Sequence, residues 1–308
     1  MQDIQKVAIL GAGAMGAYFA TRFFETAGFS TCLIAKGPRF EKLKNDGLVV
    51  NGKHYSIPVV DPQSATEPVD LLIVALKHHH LAGAIQGLEK LIGESTTIIS
   101  VMNGLESEET IASIYGMDKV LYAISLGIDA LRAGKEIKYT TPGIHYFGEA
   151  RNLTITPKVR RVQTAFEKTG INYKTPEDMI YWMWWKFMVN VGINQASAVT
   201  RMPYVAFQKS PAAQELMESL MREVVTLAQA AGINLTEQDI TNWYPVMNRL
   251  SPEGKTSMLQ DIEAEQKTEV ELFSGKAITL GKDYNIPTPV NQTIFRIIRV
   301  LEQGFGLP

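Results

Sequence analysis

Short apolar runs alternate with amphipathic stretches through the first half of the chain. Lys6-Val7-Ala8-Ile9-Leu10 ends in glycines and reads as a buried parallel strand. Ala14 to Glu25 follows with a helical pattern, and Thr31-Cys32-Leu33-Ile34 is the next strand. Asp70 to Leu76 is a third strand, Leu81 to Ile92 a helix, Thr97 to Val101 a fourth strand and Val120 to Ala123 a fifth. Strands separated by helical stretches imply βαβ units and a parallel sheet covered on both faces. Leu48–Val60 and Glu136–Gly148 carry Gly or Pro punctuation between short β-prone runs. They are assigned to loops and extra strands.

The texture changes after Thr175-Pro176. Glu177 to Gln195 reads as a long helix rich in Trp and Met. Ala212 to Ala231 is another, closed by Gly232. Met258 to Leu280, followed by Gly281, is a third, and Gln292 to Gln303 a fourth. No strand pattern stands out in this half. The expected architecture is α/β: an N-terminal Rossmann-type parallel-sheet domain over residues 1–175 and an all-helical domain over residues 176–308.

Composition narrows the function classes. Of 308 residues, 45% are hydrophobic and 20% charged, which fits globular domains rather than disorder. The formal net charge is -2, so no electrostatic footprint points to nucleic acid or an anionic membrane. Cys32 is the sole cysteine, which excludes an internal disulfide and argues against a Cys-based metal site. His78-His79-His80 on a helix point in different directions, so a shared metal is not expected there either. The uncharged run Val7–Thr21 superficially resembles a signal-peptide core. It is shorter than the ~18 apolar residues of a spanning helix, and its glycines have another explanation. The chain reads as soluble and cytoplasmic.

That explanation is Gly11-Ala12-Gly13-Ala14-Met15-Gly16, a G-x-G-x-x-G pattern directly after the first strand and at the start of the first helix. The first glycine makes the tight turn, the second lets backbone approach a pyrophosphate, and the third lets helix and strand pack closely. Free N–H groups at the helix N-terminus suit phosphate. The second strand then ends in Ile34-Ala35-Lys36-Gly37-Pro38-Arg39. An acid here would bind the ribose 2′-OH of NAD, whereas a cation suits a 2′-phosphate. NADP is therefore the expected cofactor, with Lys36 its carrier ahead of Arg39. Both also fit solvated loop charges. Lys77 and Asn103-Gly104 follow the third and fourth strands, where open α/β sheets bind ligands, although Asn103-Gly104 also fits a plain turn.

In the helical half, Lys186 lies within Trp182-Met183-Trp184-Trp185-Lys186-Phe187-Met188-Val189. Asn190 and Asn194 follow at i+4 and i+8, so the three share one helix face. An ammonium beside amides and bulky apolar neighbours suits proton donation, and amides suit the hydroxyl or carbonyl groups of a small polar ligand. A snorkelling lysine with surface amides is the competing reading. Ser257, in Lys255-Thr256-Ser257-Met258-Leu259-Gln260-Asp261, fits a helix cap, and Glu269 fits a solvated helix face.

Together these blocks resemble the ketopantoate reductase (2-dehydropantoate 2-reductase) family over almost the whole chain. The resemblance rests on Gly11–Gly16, Leu76-Lys77, Met102-Asn103-Gly104, Trp185–Asn190 with Asn194, and Ser257–Asp261 with Glu269. It implies NADPH-dependent reduction of the C2 ketone of 2-dehydropantoate to (R)-pantoate, a step of pantothenate and coenzyme A biosynthesis. It also implies a Rossmann domain, a helical domain and an active site in the cleft between them. By position Lys186 matches the general acid and Glu269 an acid that assists catalysis or ligand binding. Asn190 and Asn194 match substrate-binding amides, Ser257 a residue for the substrate carboxylate, and Lys77 and Asn103 residues near the nicotinamide. The chain departs from the pattern at Lys36, where many members carry Arg; lysine keeps the charge without the flat fork. Ser257 and Glu269 are twelve residues apart, or ~18 Å along a continuous helix, so one small keto acid meets both only where the chain bends. The expected partner is a small 2-keto acid, and a homodimer is compatible with the pattern. Two other functions stay open: a D-2-hydroxyacid dehydrogenase acting on branched or aromatic 2-keto acids, and a non-catalytic NADP sensor.

Overall fold

The computed structural model describes residues 3–306 except Asp129 and Lys135. The chain forms two compact units, Met1–Ile180 and Tyr181–Pro308.

The first unit runs β1 (Lys6–Leu10), α1 (Ala14–Glu25), β2 (Ser30–Ile34), α2 (Pro38–Asp46), β3 (Leu48–Val50), β4 (Lys53–Tyr55), β5 (Val59–Val60) and β6 (Val69–Val74). It continues with α3 (His78–Ala84), β7 (Ile92–Ser100), α4 (Ser107–Tyr115), β8 (Val120–Ile128), β9 (Leu131–Ala133), β10 (Glu136–Lys138), β11 (Pro142–Gly148), α5 (Pro157–Thr169) and β12 (Tyr173–Lys174). Six strands pair in parallel in the order β5-β2-β1-β6-β7-β8. Counted along the chain this is 3-2-1-4-5-6, the doubly wound dinucleotide-binding arrangement. β11 adds antiparallel to β8, with β12 parallel beyond it. A separate small sheet has the order β4-β3-β10-β9.

Both faces of the main sheet are covered, as its uninterrupted apolar strands require. Val7 and Ile9 of β1 pack with Phe19 and Phe23 of α1 and Phe166 of α5. Ala8 and Leu10 point the other way, toward Leu81, Ile85 and Ile111. Each large apolar side chain buried this way contributes roughly 1.5–3 kcal/mol.

The expected helix over Leu81–Ile92 is instead the short α3, and β7 already begins at Ile92. Gly87 breaks it with φ 83°. Leu88 and Leu91 still reach the core from turns, which is why their spacing imitates a helix. β8 extends to Ile128 because it has a long partner in β11. That partner is one of the extra strands read within Glu136–Gly148, its length masked by Gly143, whose φ is 68° and where a Cβ would lie 2.5 Å from the Leu126 carbonyl oxygen.

Cys32 is half-buried on β2, and burial pushes its thiol up to about 11. At pH 8 only ~1 thiol in 1,000 is then ionised, against roughly 1 in 4 for a free cysteine. A disulfide reagent should label the native protein at least tenfold more slowly than the unfolded chain; equal rates would refute the burial argument. Because the folded value is raised, this group's contribution to stability is present below the unfolded value of ~8.5 and is lost as pH rises towards 11.

The chain enters the second unit within α6 (Met179–Val189). A π-turn (Asn190–Asn194) joins α6 to α7 (Gln195–Thr200). α8 (Tyr204–Lys209), α9 (Pro211–Ala230), α10 (Glu237–Met247) and α11 (Ser257–Glu263) follow. A second π-turn (Glu271–Gly275), α12 (Lys276–Asp283) and α13 (Pro289–Gln303) complete the unit. Every element assigned among its described residues is helical. Local chemistry sets the ends. Ser210 caps α9 ahead of Pro211, and Gly232 with φ 77° lies just past its end. Thr236 and Asp239 form a capping box on α10. The Glu223 carboxylate accepts from the Val290 and Asn291 N–H groups at 2.8 and 3.0 Å, capping α13 from α9.

The helix expected over Met258–Leu280 is interrupted. α11 stops at Glu263, Glu265 takes the left-handed conformation with φ 50°, and helical structure resumes only at the second π-turn. Gly281 does not end a helix either. It lies inside α12, where a Cβ would come within 2.7 Å of the Ile286 carbonyl oxygen. Helix and following chain approach closely there.

Candidate active site

At the reversal of strand order, the turn after β1 meets the turn after β6. Gly11 has φ 106°, and a Cβ on it would lie 2.4 Å from the Ala75 carbonyl oxygen. A Cβ on Gly16 would lie 1.7 Å from the Gly11 carbonyl oxygen, so α1 closes directly onto the turn. Gly13 differs: its Cβ would meet nothing within 4 Å. Gly13 is also the N-cap of α1, where no side chain caps the helix and no acid stands in the first turn. Two glycines thus allow tight packing and the third leaves an open face at an uncapped, electropositive helix end. With Ala12, Ala14 and Met15 completing the turn, this cradle fits a dinucleotide pyrophosphate.

Lys36 is exposed beyond β2 and its Nζ donates to the Gly83 carbonyl oxygen at 3.4 Å. Arg39, ranked behind Lys36 on sequence, is the cation that touches the cradle. It is half-buried, and its Nη2 donates to the Ala12 carbonyl oxygen at 3.1 Å. Its signal in the sequence is only its distance past β2. Lys77 is the half-buried N-cap of α3, after β6. Asn103 is half-buried after β7, beside Gly104 with φ 95°. Both occupy the carboxyl edge of the sheet, like the cradle.

In the second unit, Lys186 is 9% exposed on α6, between buried Trp185 and Phe187. Trp182, one turn earlier on the same face, meets Trp185 edge to face at 5.6 Å. One turn after Lys186 the helix opens into the first π-turn, which contains both asparagines. Asn194 is 7% exposed, and its Nδ2 donates to Asn190 Oδ1 at 3.1 Å. Gly192 lets this turn press against α9, where a Cβ would lie 2.5 Å from the Met221 side chain. π-turns are rare and concentrate at functional sites, and the amide stripe coincides with one.

Ser257 is not the cap of α11. Thr256 is: its Oγ1 accepts from the Leu259 N–H at 3.2 Å, and Ser257 is the first helical residue, exposed. Glu269 is not on a solvated face. It is 6% exposed, after the break that ends α11 and two residues before the second π-turn. That break removes the separation a continuous helix would impose. α11 and the second π-turn both pack against the first π-turn. The second unit thereby brings together α11, which begins at Ser257, the first π-turn, which holds Asn190 and Asn194 one turn after Lys186, and the second π-turn, two residues after Glu269; the first unit holds the cradle. An ammonium, two amides, a hydroxyl and a carboxylate can bind a polar carbonyl compound and move a proton to it. Among the described residues no group of three or more His, Cys, Asp or Glu could hold a metal ion, and no helix is long and apolar enough to cross a membrane.

The strand order and the open cradle at its reversal define a fold of the Rossmann, dinucleotide-binding class. Within that class the chain belongs to an oxidoreductase family, ketopantoate reductase PanE/ApbA. The family matches residues 7–152, and its C-terminal domain matches residues 178–302. The 2-dehydropantoate 2-reductase of Archaeoglobus fulgidus is 26% identical over 301 residues, covering 98% of this chain and 99% of that protein. Two solved structures share the fold. The ternary structure of D-mandelate dehydrogenase with NADH and anilino(oxo)acetate aligns with a TM-score of 0.87 at 22% identity, covering 98% of this chain and 100% of that one. The dimeric ketopantoate reductase from Staphylococcus aureus aligns with a TM-score of 0.79 at 24% identity, again covering 98% and 100%.

Proposed function

We propose that this chain reduces the C2 ketone of 2-dehydropantoate to (R)-pantoate with NADPH, in the route to pantothenate and coenzyme A. The observation that carries the reading is the buried Lys186 followed by the Asn190–Asn194 amide pair in a π-turn. Residues 1–175 serve the cofactor and residues 176–308 the substrate. The turn Gly11–Gly16 would hold the pyrophosphate and Lys36 the 2′-phosphate, with Lys77 and Asn103 towards the nicotinamide. When bound, the reduced nicotinamide supplies a hydride.

The remaining work belongs to the side chains. Lys186 holds a proton at Nζ and releases it to the ketone oxygen as negative charge develops there. Asn190 and Asn194 orient the substrate through its hydroxyl. The exposed Ser257 hydroxyl donates to its carboxylate, and Glu269 assists catalysis or ligand binding. A soluble, cytoplasmic homodimer is the assembly this reading adopts, in keeping with the dimeric Staphylococcus aureus protein.

Trp182 favours a second reading, reduction of an aromatic 2-keto acid. It lies four residues before Lys186 on the same face and adds an aromatic wall to the stripe. The likeness in fold to D-mandelate dehydrogenase with NADH makes that reading worth the same assay. Initial rates with 2-dehydropantoate, 2-ketoisovalerate and phenylglyoxylate, each with NADPH and NADH, separate the two. The proposal expects the highest kcat/KM with 2-dehydropantoate and NADPH. Faster turnover of phenylglyoxylate moves the enzyme to the second reading. No turnover at all, with NADPH still bound, makes the chain a sensor. Lys36→Ala should raise KM for NADPH about 2- to 5-fold, the scale of an exposed ion pair, and leave KM for NADH unchanged. An equal change for both cofactors would remove Lys36 from 2′-phosphate recognition.

A further inference from the structure

Each π-turn displaces one backbone group from its ordinary helical partner, and a single side chain takes up both. In the first turn the Gln195 N–H goes to the Gly192 carbonyl, not to Val191. The Gln195 side chain compensates: its Nε2 donates to the Val191 carbonyl oxygen at 2.8 Å. In the second turn the Gly275 N–H takes the Val270 carbonyl at 3.0 Å, an i→i+5 bond. The Ser274 N–H, which an α-helix would pair with that carbonyl, donates instead to Gln195 Oε1 at 3.1 Å. Buried backbone groups are almost always paired, and here one amide pairs a displaced carbonyl with a displaced N–H on two separate segments.

The amide is held from a third side. Gln195, Ser274 and Asn291 are all fully buried. Asn291 Oδ1 accepts from Ser274 Oγ at 2.9 Å and from Gln195 Nε2 at 3.4 Å, and Asn291 Nδ2 donates to Glu223 Oε2 at 2.7 Å. A carbonyl against Nε2 and an N–H against Oε1 permit one orientation of the Gln195 amide. The first turn carries Asn190 and Asn194, one turn after Lys186. The second is wound directly on Glu269, whose carbonyl accepts from the Leu272 and Phe273 N–H groups at 3.0 and 3.2 Å.

We propose that Gln195 is a positioning residue. It locks the two π-turns to each other and thereby holds the Lys186–Asn190–Asn194 stripe in register with Glu269, touching neither substrate nor cofactor. The inference rests on those four residues being the working groups of the reduction proposed above.

Gln195→Met keeps the length of the side chain and removes both bonds. Amide hydrogen exchange followed by mass spectrometry should show faster exchange in both 190–196 and 271–275. In the same variant kcat should fall by about 10- to 100-fold, the cost of a small misplacement of reacting groups, with Kd for NADPH unchanged. Gln195→Glu is the second variant, should the first fail to fold. In its ionised form it keeps an acceptor for Ser274 but loses the donor to Val191, so exchange measured above the carboxyl's titration should rise in 190–196 and not in 271–275. Lys186→Ala, assayed alongside, separates the two claims. Exchange at 271–275 unchanged in Gln195→Met, or kcat within twofold of wild type while Lys186→Ala is inactive, overturns the clamp and leaves the reductase reading intact. Full turnover by Lys186→Ala overturns the reading on which the clamp rests.

Discussion

Lys186→Met is expected to lower kcat by about 100- to 10,000-fold, the range of a positioned general acid, while Kd for NADPH stays at its wild-type value. Methionine replaces the buried stem with similar volume between Trp185 and Phe187 and removes only the ammonium, so packing is largely kept. The measurement is a single-turnover rate of NADPH oxidation beside a tryptophan-fluorescence titration with NADPH. Lys186→Arg sharpens it. Arginine keeps the positive charge but does not release a proton. Proton transfer from Lys186 therefore predicts that Arg stays nearly as slow as Met. Recovery by Arg would make the residue a fixed charge for the developing alkoxide, and wild-type kcat in Met would remove it from the chemistry.

The helix read over Met258–Leu280 fails for a specific reason. Met258, Leu259 and Ile262 and then Val270, Leu272 and Phe273 keep an apolar helical rhythm, and all six are buried. The rhythm therefore runs across a break. What stops α11 is Glu265 in a left-handed conformation, closed by the Gln266 N–H donating to the Asp261 carbonyl at 2.8 Å. Glutamate carries no sign of that role, unlike the glycine past α9. The π-turns are invisible for a different reason. They shift the hydrogen-bond partner by one residue without changing which residues are apolar, so the Lys186–Asn190–Asn194 spacing reads as ordinary α-helix. The stripe itself was legible as one face of three polar residues even though its backbone was not.

In the first unit the reverse holds. β1, β2 and β6 announce themselves because strands buried on both faces need unbroken apolar runs, and the glycine turn announces itself by composition. β12 does not, and β11 shows only as a short β-prone run within Glu136–Gly148, since their pairing is set by a partner far along the chain and their segments carry Gly and Pro. Arg39 was the residue least visible for its place. Its contact with Ala12 depends on how α2 is directed after Gly37, whose φ is 59°, and not on anything at position 39.

The glycine turn supports a prediction in which one substitution at two positions of one motif moves different observables. Gly13→Ala should raise Kd for NADPH by on the order of tenfold or more, a loss of at least ~1.4 kcal/mol, without lowering Tm. The backbone at Gly13 has φ -79° and ψ -169°, which alanine adopts freely, and a Cβ there meets nothing within 4 Å. Alanine is a poorer N-cap than glycine, which offsets the ~0.4–1 kcal/mol gained as the unfolded chain loses freedom, so stability should hold. The only thing left for the methyl to obstruct is a ligand drawn against the N-terminus of α1. Gly16→Ala should do the opposite first. Its Cβ would lie 1.7 Å from the Gly11 carbonyl oxygen, a backbone atom that moves only if α1 moves, and overpacking of this kind costs about 1–3 kcal/mol. Tm should fall whether or not NADPH is present. Calorimetry and a binding titration on both variants decide the matter. Unchanged NADPH affinity in Gly13→Ala would mean that the open face of the turn is not where the pyrophosphate binds, and the cradle would then be a packing device alone.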